Sequence, residues 1–279
     1  MRNKNLSVSQ QRGLVCAAVL IIKDFGAKNA LRLDIAGVKP AVAQEILAKS
    51  YDIADGDSAI AVLERFSRAD AQNLVISEVF EHIIAQNKYE IARSIFAPIK
   101  QEHIADLNLP TNFPNFWKSV TNNANADLDT FMKFLRNPES AEQSSTFHNI
   151  TLSAVVGRLN KHIKGYETTM RALSVFGYTA DELMNINSFE AWDLGRCCYL
   201  ARLAAHCGFI TEEQAWQFIE TSGTATYKTY VDWRQFLAAH FLGRGMTHSA
   251  DDIVDYNETL AYVLRDKKSP LKLYPLKNA

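Results

Sequence analysis

An excess of charge of either sign is missing from this chain: 30 lysines and arginines stand against 31 aspartates and glutamates, for a formal net charge of −1. That balance offers no electrostatic footprint for nucleic acid or an anionic membrane. A small basic excess sits only in the tail, at Lys267, Lys268, Lys272 and Lys277. Glycine and proline are scarce too, 12 and 7 in 279 residues, which is little for an all-β protein. Cysteine is limited to Cys16, Cys197, Cys198 and Cys207. Neighbours Cys197 and Cys198 point about 100° apart on a helix, a poor disulfide framework that suits reduced, buried thiols in a cytoplasmic protein. The longest apolar run, Gly13–Ile22, is shorter than the ~20 residues a bilayer requires. Arg2 and Lys4 precede it, but Arg12 abuts it and Lys23, Asp24 and Phe25 follow in place of a small-residue cleavage site, which argues against a secretory signal. Phosphate-binding loops, Gly-x-Gly-x-x-Gly turns and Gly-x-Ser-x-Gly elbows are absent, so no cofactor is expected.

What is present is apolar and helical. Hydrophobic residues make up 47% of the chain, ample for a core. The stretch Ser188–Cys207 reads as a helix apolar on nearly every side, yet it carries Asp193, Arg196 and Arg202. Such a helix is buried by its neighbours, and charges on it are costly unless paired. Asp193 and Arg196 are three residues apart and face each other. Arg202 is about half a turn out of phase with Asp193 and needs a different partner.

Along the chain, Ser7 with Gln10 caps a first helix that buries Leu14, Ala17, Ala18 and Ile21 and ends at Gly26. Pro40 opens the next, which runs to Ser50. Asp57 caps 59–65 after the Asp55-Gly56-Asp57 turn, which lacks the ligand spacing of a calcium loop. Residues 70–86 repeat apolar side chains at helical spacing, and 89–100 follow, kinked at Pro98. The Asn- and Pro-rich stretch 106–125 and the polar linker 137–146 break the packing around a short helix at 127–136. Helices are expected at 147–164, 166–176, 180–184 (capped by Thr179 and Glu182), 212–221 (Thr211 and Gln214), 233–242 (Asp232 and Gln235) and 250–265 (Ser249). Gly243-Arg244-Gly245 reads as a turn and Ser222–Thr226 as a connector. The class is all-α, an irregular multi-helix bundle of about a dozen helices. An N-terminal helical region over 1–137 and a C-terminal helical domain over 147–279 are expected, or one continuous domain.

Candidate chemistry is thin. Cys198 and His206 share a helical face but lie about 12 Å apart along it, too far for one zinc ion or a catalytic dyad. His248, Asp252 and Asp255, with Asp251 and Glu258, resemble a magnesium or manganese site of a helical hydrolase; a dipole-complementing first turn is the plainer reading. Ser222–Thr226 offers backbone N–H groups to an anion, though a plain connector is more economical. Asp193, Arg196, Arg202, Glu213, Trp216, Trp233 and Arg244 remain. They line a pocket, with Asp193 and Glu213 as acid and base and the arginines as anion clamps, or they form a buried network that fixes helix register. The structural role is the stronger reading.

At these residues the sequence resembles the YbeU/YbeR-like family of uncharacterised bacterial proteins, whose shared region is DUF1266. The likeness runs through Trp192, Asp193, Arg196, Arg202, Gly208, Phe209, Ile210, Glu212, Glu213, Ala215, Trp216, Trp233, Leu242, Gly243 and Arg244. It also touches Leu6, Ser7, Gln10, Leu14, Ala17, Ala18, Tyr51 and Ile53, leading into 57–63. Where the family tends to place an aromatic after Leu-Gly-Arg, this chain has Gly245 and Met246. The resemblance implies a helical fold and an accessory bacterial protein, of the kind linked to toxin–immunity or secretion loci, and no reaction. The expectation is therefore a cytoplasmic, non-enzymatic protein that binds another protein, in its sharpest form an immunity or inhibitor protein neutralising a toxin domain. The alternatives are an enzyme with an Asp/Glu/Arg pocket and a metal-dependent hydrolase.

Overall fold

A computed structural model describes residues 6–67, 164–186, 188–247 and 250–277. The expected helices at 70–86, 89–100, 127–136 and 147–163, the stretch 106–125 and the 137–146 linker lie outside the described residues. So do Ser249, His248 and the side chains of Asp251 and Asp252. The fold is all-α, with no strand among the described residues. No helix among them is long and apolar enough to cross a membrane.

The chain divides into two compact units, one of residues 1–71, 189–244 and 251–279, the other of 72–188 and 245–250. The first contains α1 (Val8–Cys16), α2 (Ala18–Phe25), α3 (Pro40–Tyr51) and α4 (Gly56–Ser67). The second holds a helical stretch at 164–174 and α5 (Ala180–Met184). The first unit continues with α6 (Ala191–His206), α7 (Glu212–Thr229) and α8 (Trp233–Thr247) up to Arg244. It closes with a 3₁₀ turn (Ala250–Tyr256), α9 (Asn257–Arg265) and α10 (Pro270–Leu273).

Local signals place several helix ends. Ser7, Thr179 and Thr211 each form a full capping box with the Gln or Glu three residues on, which satisfies backbone donors a helix start leaves open. Asp232 accepts from the Gln235 N–H at 2.7 Å. At α4 the cap is Asp55, which accepts from the Ser58 N–H at 2.8 Å; Asp57, expected there, lies in the first turn. The first helix is interrupted at Ala17, where the Cys16 carbonyl lies against Gly195 of α6. The expected 250–265 helix is a 3₁₀ turn followed by α9.

Two Gly-rich stretches read as turn and connector are helical. α7 continues through Ser222–Thr226 to Thr229, and Gly243-Arg244-Gly245 continues α8. The physical reason is close packing. A Cβ on Gly223 would sit 2.7 Å from the Gly13 nitrogen and overlap the Ser9 carbonyl, and one on Gly13 would overlap the Ile219 carbonyl. α1 and α7 cross with their backbones in contact at this pair, so small residues there are demanded by the neighbour and not by a break in the helix. Gly243 is held likewise, with Phe189 O and Trp192 Cβ each 3.0 Å from where its Cβ would be. Alanine in place of a mid-helix glycine ordinarily adds about 1 kcal/mol of stability. Gly223→Ala should do the opposite and cost at least about 2 kcal/mol through overpacking, read as a lower urea midpoint with unchanged slope.

Candidate functional site

α6 organises the first unit. Thirteen of its sixteen residues are buried, including Asp193 and Arg202, as a helix apolar on all sides requires. Its charged residues meet two different fates.

Arg202 is fully buried. Its guanidinium donates to the carbonyls of Asn29, Ala30 (3.3 Å) and Leu33 (3.5 Å). Burial lowers its pKa to about 9, so it stays charged at neutral pH. Asn29, also fully buried, donates to the Phe25 carbonyl and accepts from the Ala36 N–H. One turn further along α6, His206 donates to the Val38 carbonyl at 3.0 Å, and the Cys207 thiol faces the Pro40 carbonyl. The end of α6 thus supplies donors to the irregular segment between α2 and α3, whose buried carbonyls have no helix to serve them.

Asp193 and Arg196 form the expected ion pair through Oδ1 and Nη2. The Arg196 guanidinium lies over the rings of Phe66 (4.1 Å) and Trp192 (4.7 Å). Arg244 of α8 lies over Trp192 as well (5.1 Å) and over Tyr256 (4.9 Å), whose ring also carries Lys23 of α2 at 4.0 Å. Phe66, Arg196, Trp192, Arg244, Tyr256 and Lys23 therefore make one continuous alternation of ring and cation across five elements. Tyr199 donates to Asp24 at 2.6 Å beside it. Tyr51, at the end of α3, is near enough to feel the charges of Arg196, Arg244 and Asp24, with burial raising its pKa overall. Burial and the neighbouring Asp193 raise that of Glu190.

His240 lies beneath Trp192, edge-on at 5.0 Å, and against Gly195. It is fully buried; Nδ1 donates to the Ala191 carbonyl at 3.2 Å, and Nε2 has no partner. Burial pulls its pKa from 6.5 down to about 3.

The geometry brings Asp193, Arg196 and Arg244 together around Trp192. It puts Arg202 in the carbonyl cage of the 26–40 segment. Glu213 is exposed in the first turn of α7, which starts beyond the far end of α6 from Asp193. Trp216 is half-buried on α7. Trp233 is buried, its Nε1 donating to the Tyr274 carbonyl at 2.7 Å. Asp255 and Glu258 are exposed. Among the described residues no three His, Cys, Asp or Glu side chains stand close enough to share a metal ion. Cys197 and Cys198 are buried free thiols, with pKa values raised by burial. Phe66, Tyr256 and Lys23 escape sequence reading, because each sits on a different element and only packing joins them. Tyr51 was marked only by the family resemblance.

The chain belongs to the family described as "Protein of unknown function (DUF1266)", which it matches over residues 46–276. No curated protein and no solved structure matches it. The matched range takes in Tyr51, Phe66, Trp192, Asp193, Arg196, Arg244 and Tyr256, and leaves out Lys23 and Asp24.

Two measurements test these assignments. Asp193→Asn removes one partner of a largely buried pair, and should cost about 2–3 kcal/mol, seen as a clear fall in melting temperature. An unchanged melting temperature would deny the pair any architectural role. His240 is neutral when folded, and the unfolded chain takes up its proton first, near 6.5. Stability should be full above that pH and fall as pH drops from 6.5 towards 3, by about 2 kcal/mol at pH 5. His240→Phe should flatten that part of the pH profile.

Proposed function

We propose that this is a cytoplasmic bacterial protein that works without catalysis by binding another protein, as an inhibitor or immunity protein neutralising a toxin domain does. The observation that carries this is a corner where α7, the start of α8 and the C-terminal segment meet. Tyr227, Val231 and Leu273 are 41%, 65% and 54% exposed there. The C-terminal segment is tied down beside them: Tyr274 O accepts from Trp233 Nε1, Leu276 O accepts from Arg12 Nε, and Lys277 lies over the Tyr227 ring. Arg12 covers Tyr227 at 3.8 Å, and Lys228, Lys272 and Lys277 are exposed around the apolar centre. Asp232 is the acid beside it, and its carboxylate already caps α8.

An apolar centre with an anchoring Tyr and a charged rim is how protein interfaces are built. The rim is basic on a chain whose net charge is −1, which favours a partner with an acidic face. That Trp192, Trp233 and Arg202 are buried inside the fold also supports a role exercised at the surface.

The test is purification from the native host of a stoichiometric complex, followed by the same purification of Tyr227→Ala/Val231→Asp. The wild type should carry one acidic-surfaced partner. The double variant should lose at least about tenfold in affinity, a typical effect for an interface anchor, with an unchanged melting temperature. A wild-type chain that purifies alone, or a variant that keeps the partner, would sink the proposal.

A further inference from the structure

Residues 274–277 lie against α1, α7 and α8 as a bound peptide would. The backbone is extended at Tyr274 (φ −132°, ψ 84°). Carbonyls of alternate residues face the helices: that of Tyr274 accepts from Trp233 Nε1 at 2.7 Å, and that of Leu276 from Arg12 Nε at 3.1 Å. The Leu276 side chain is buried, while Pro275 and Lys277 are exposed. Among the described residues the attachment beyond α10 consists of that leucine, the two side-chain donors and the Lys277 ammonium over the Tyr227 ring. One buried side chain and two hydrogen bonds are of the same order as the entropy of ordering four residues, which makes the segment exchangeable. It also gives Arg12 the weaker kind of acceptor. A carboxylate takes a guanidinium N–H about twice as strongly as a neutral carbonyl does. Moreover, Lys277 and Arg12 lie over the same Tyr227 ring, two like charges that repel, with Lys228 and Lys272 exposed beside them.

We propose that residues 274–277 are a displaceable cover, and that an extended acidic segment of the partner replaces them. An apolar side chain of that segment takes the Leu276 site and its carboxylates take Arg12 and the exposed lysines. One of its carbonyls takes Trp233 Nε1, which would otherwise lose its acceptor in a buried place. This rests on the protein-binding reading of the same corner. It adds the partner's chemistry and the contact that keeps the corner closed until the partner arrives.

The test uses the full chain and two blocked synthetic peptides, Tyr-Pro-Leu-Glu-Glu and Tyr-Pro-Leu-Lys-Lys. Leu276→Ser removes the anchor of the cover. That variant should bind the acidic peptide saturably in isothermal titration. The wild type should bind it about tenfold more weakly, because a site open a tenth of the time loses that factor in apparent affinity. The basic peptide should bind neither chain. No binding of the acidic peptide by Leu276→Ser, equal affinity in the two chains, or equal binding of the basic peptide overturns the proposal. The unaltered chain decides the matter even if Leu276→Ser does not fold. Its Trp233 indole proton, assigned by its loss in Trp233→Phe, should exchange with deuterium faster than the slowest backbone amides, by opening without global unfolding. Exchange only at the global rate overturns the proposal. The two readings fail separately: a partner captured through Tyr227 and Val231 with no peptide binding overturns the displaceable cover alone, and a chain that purifies alone overturns the protein partner alone.

Discussion

Between Gly26 and Lys39 the backbone has only one 3₁₀ turn, at Ala27–Asn29, yet Asn29, Ala30, Leu33 and Ile35 are buried. Irregular backbone can be buried only if something satisfies its carbonyls. Arg202 does this with one planar group aimed at three of them, and Asn29 closes the loop on itself. The guanidinium suits the task because it is rigid, carries five donors and is the most weakly hydrated of the cationic groups. A lysine would bring fewer donors and a costlier desolvation. This contact fixes α2 and α3 against α6, and through them positions Asp24 and Tyr51 near the cation–ring stack.

A second constraint is the closeness of the helices. Gly13 and Gly223 let α1 and α7 touch backbone to backbone, Gly195 makes room for the His240 ring, and Gly243 makes room for Trp192. Each glycine is coupled to a bulky or polar partner on another helix. The crossing leaves small polar groups inside, and Cys16 and Thr226 settle theirs by sharing a hydrogen bond of 3.1 Å. His240 remains neutral because it is fully buried and two arginines stand near. Packing and protonation are thus set by the same spacing.

The sequence carried the local part of this plainly. Capping boxes at Ser7, Thr179 and Thr211, proline at the start of α3 and the all-round apolarity of α6 are signals between residues a few positions apart. The Asp193–Arg196 pair is legible for the same reason. Ser222–Thr226 and Gly243-Arg244-Gly245 misled because glycine, serine and threonine mark loops by propensity, while here they mark contact with a helix far off in sequence. The partners of Arg202 are carbonyls about 170 residues away, and no residue type announces a carbonyl. Around Trp192 the residues on α6 and α8 were visible as a signature, but Phe66, Tyr256 and Lys23 come from elements with no pattern linking them.

Arg196 and Arg202 stand on one helix, six residues apart, and meet different kinds of partner. Arg202 is sealed from solvent and finds an acceptor for each of its three nitrogens. Arg196 keeps a face on two rings and one nitrogen on a carboxylate, and its Nε stays unspent. Ring contacts hold a guanidinium in place through its faces and leave the donors in its plane available. Phe66 and Trp192 thus hold Arg196 by its faces while Asp193 holds one edge, and Arg202 is held by its edges alone.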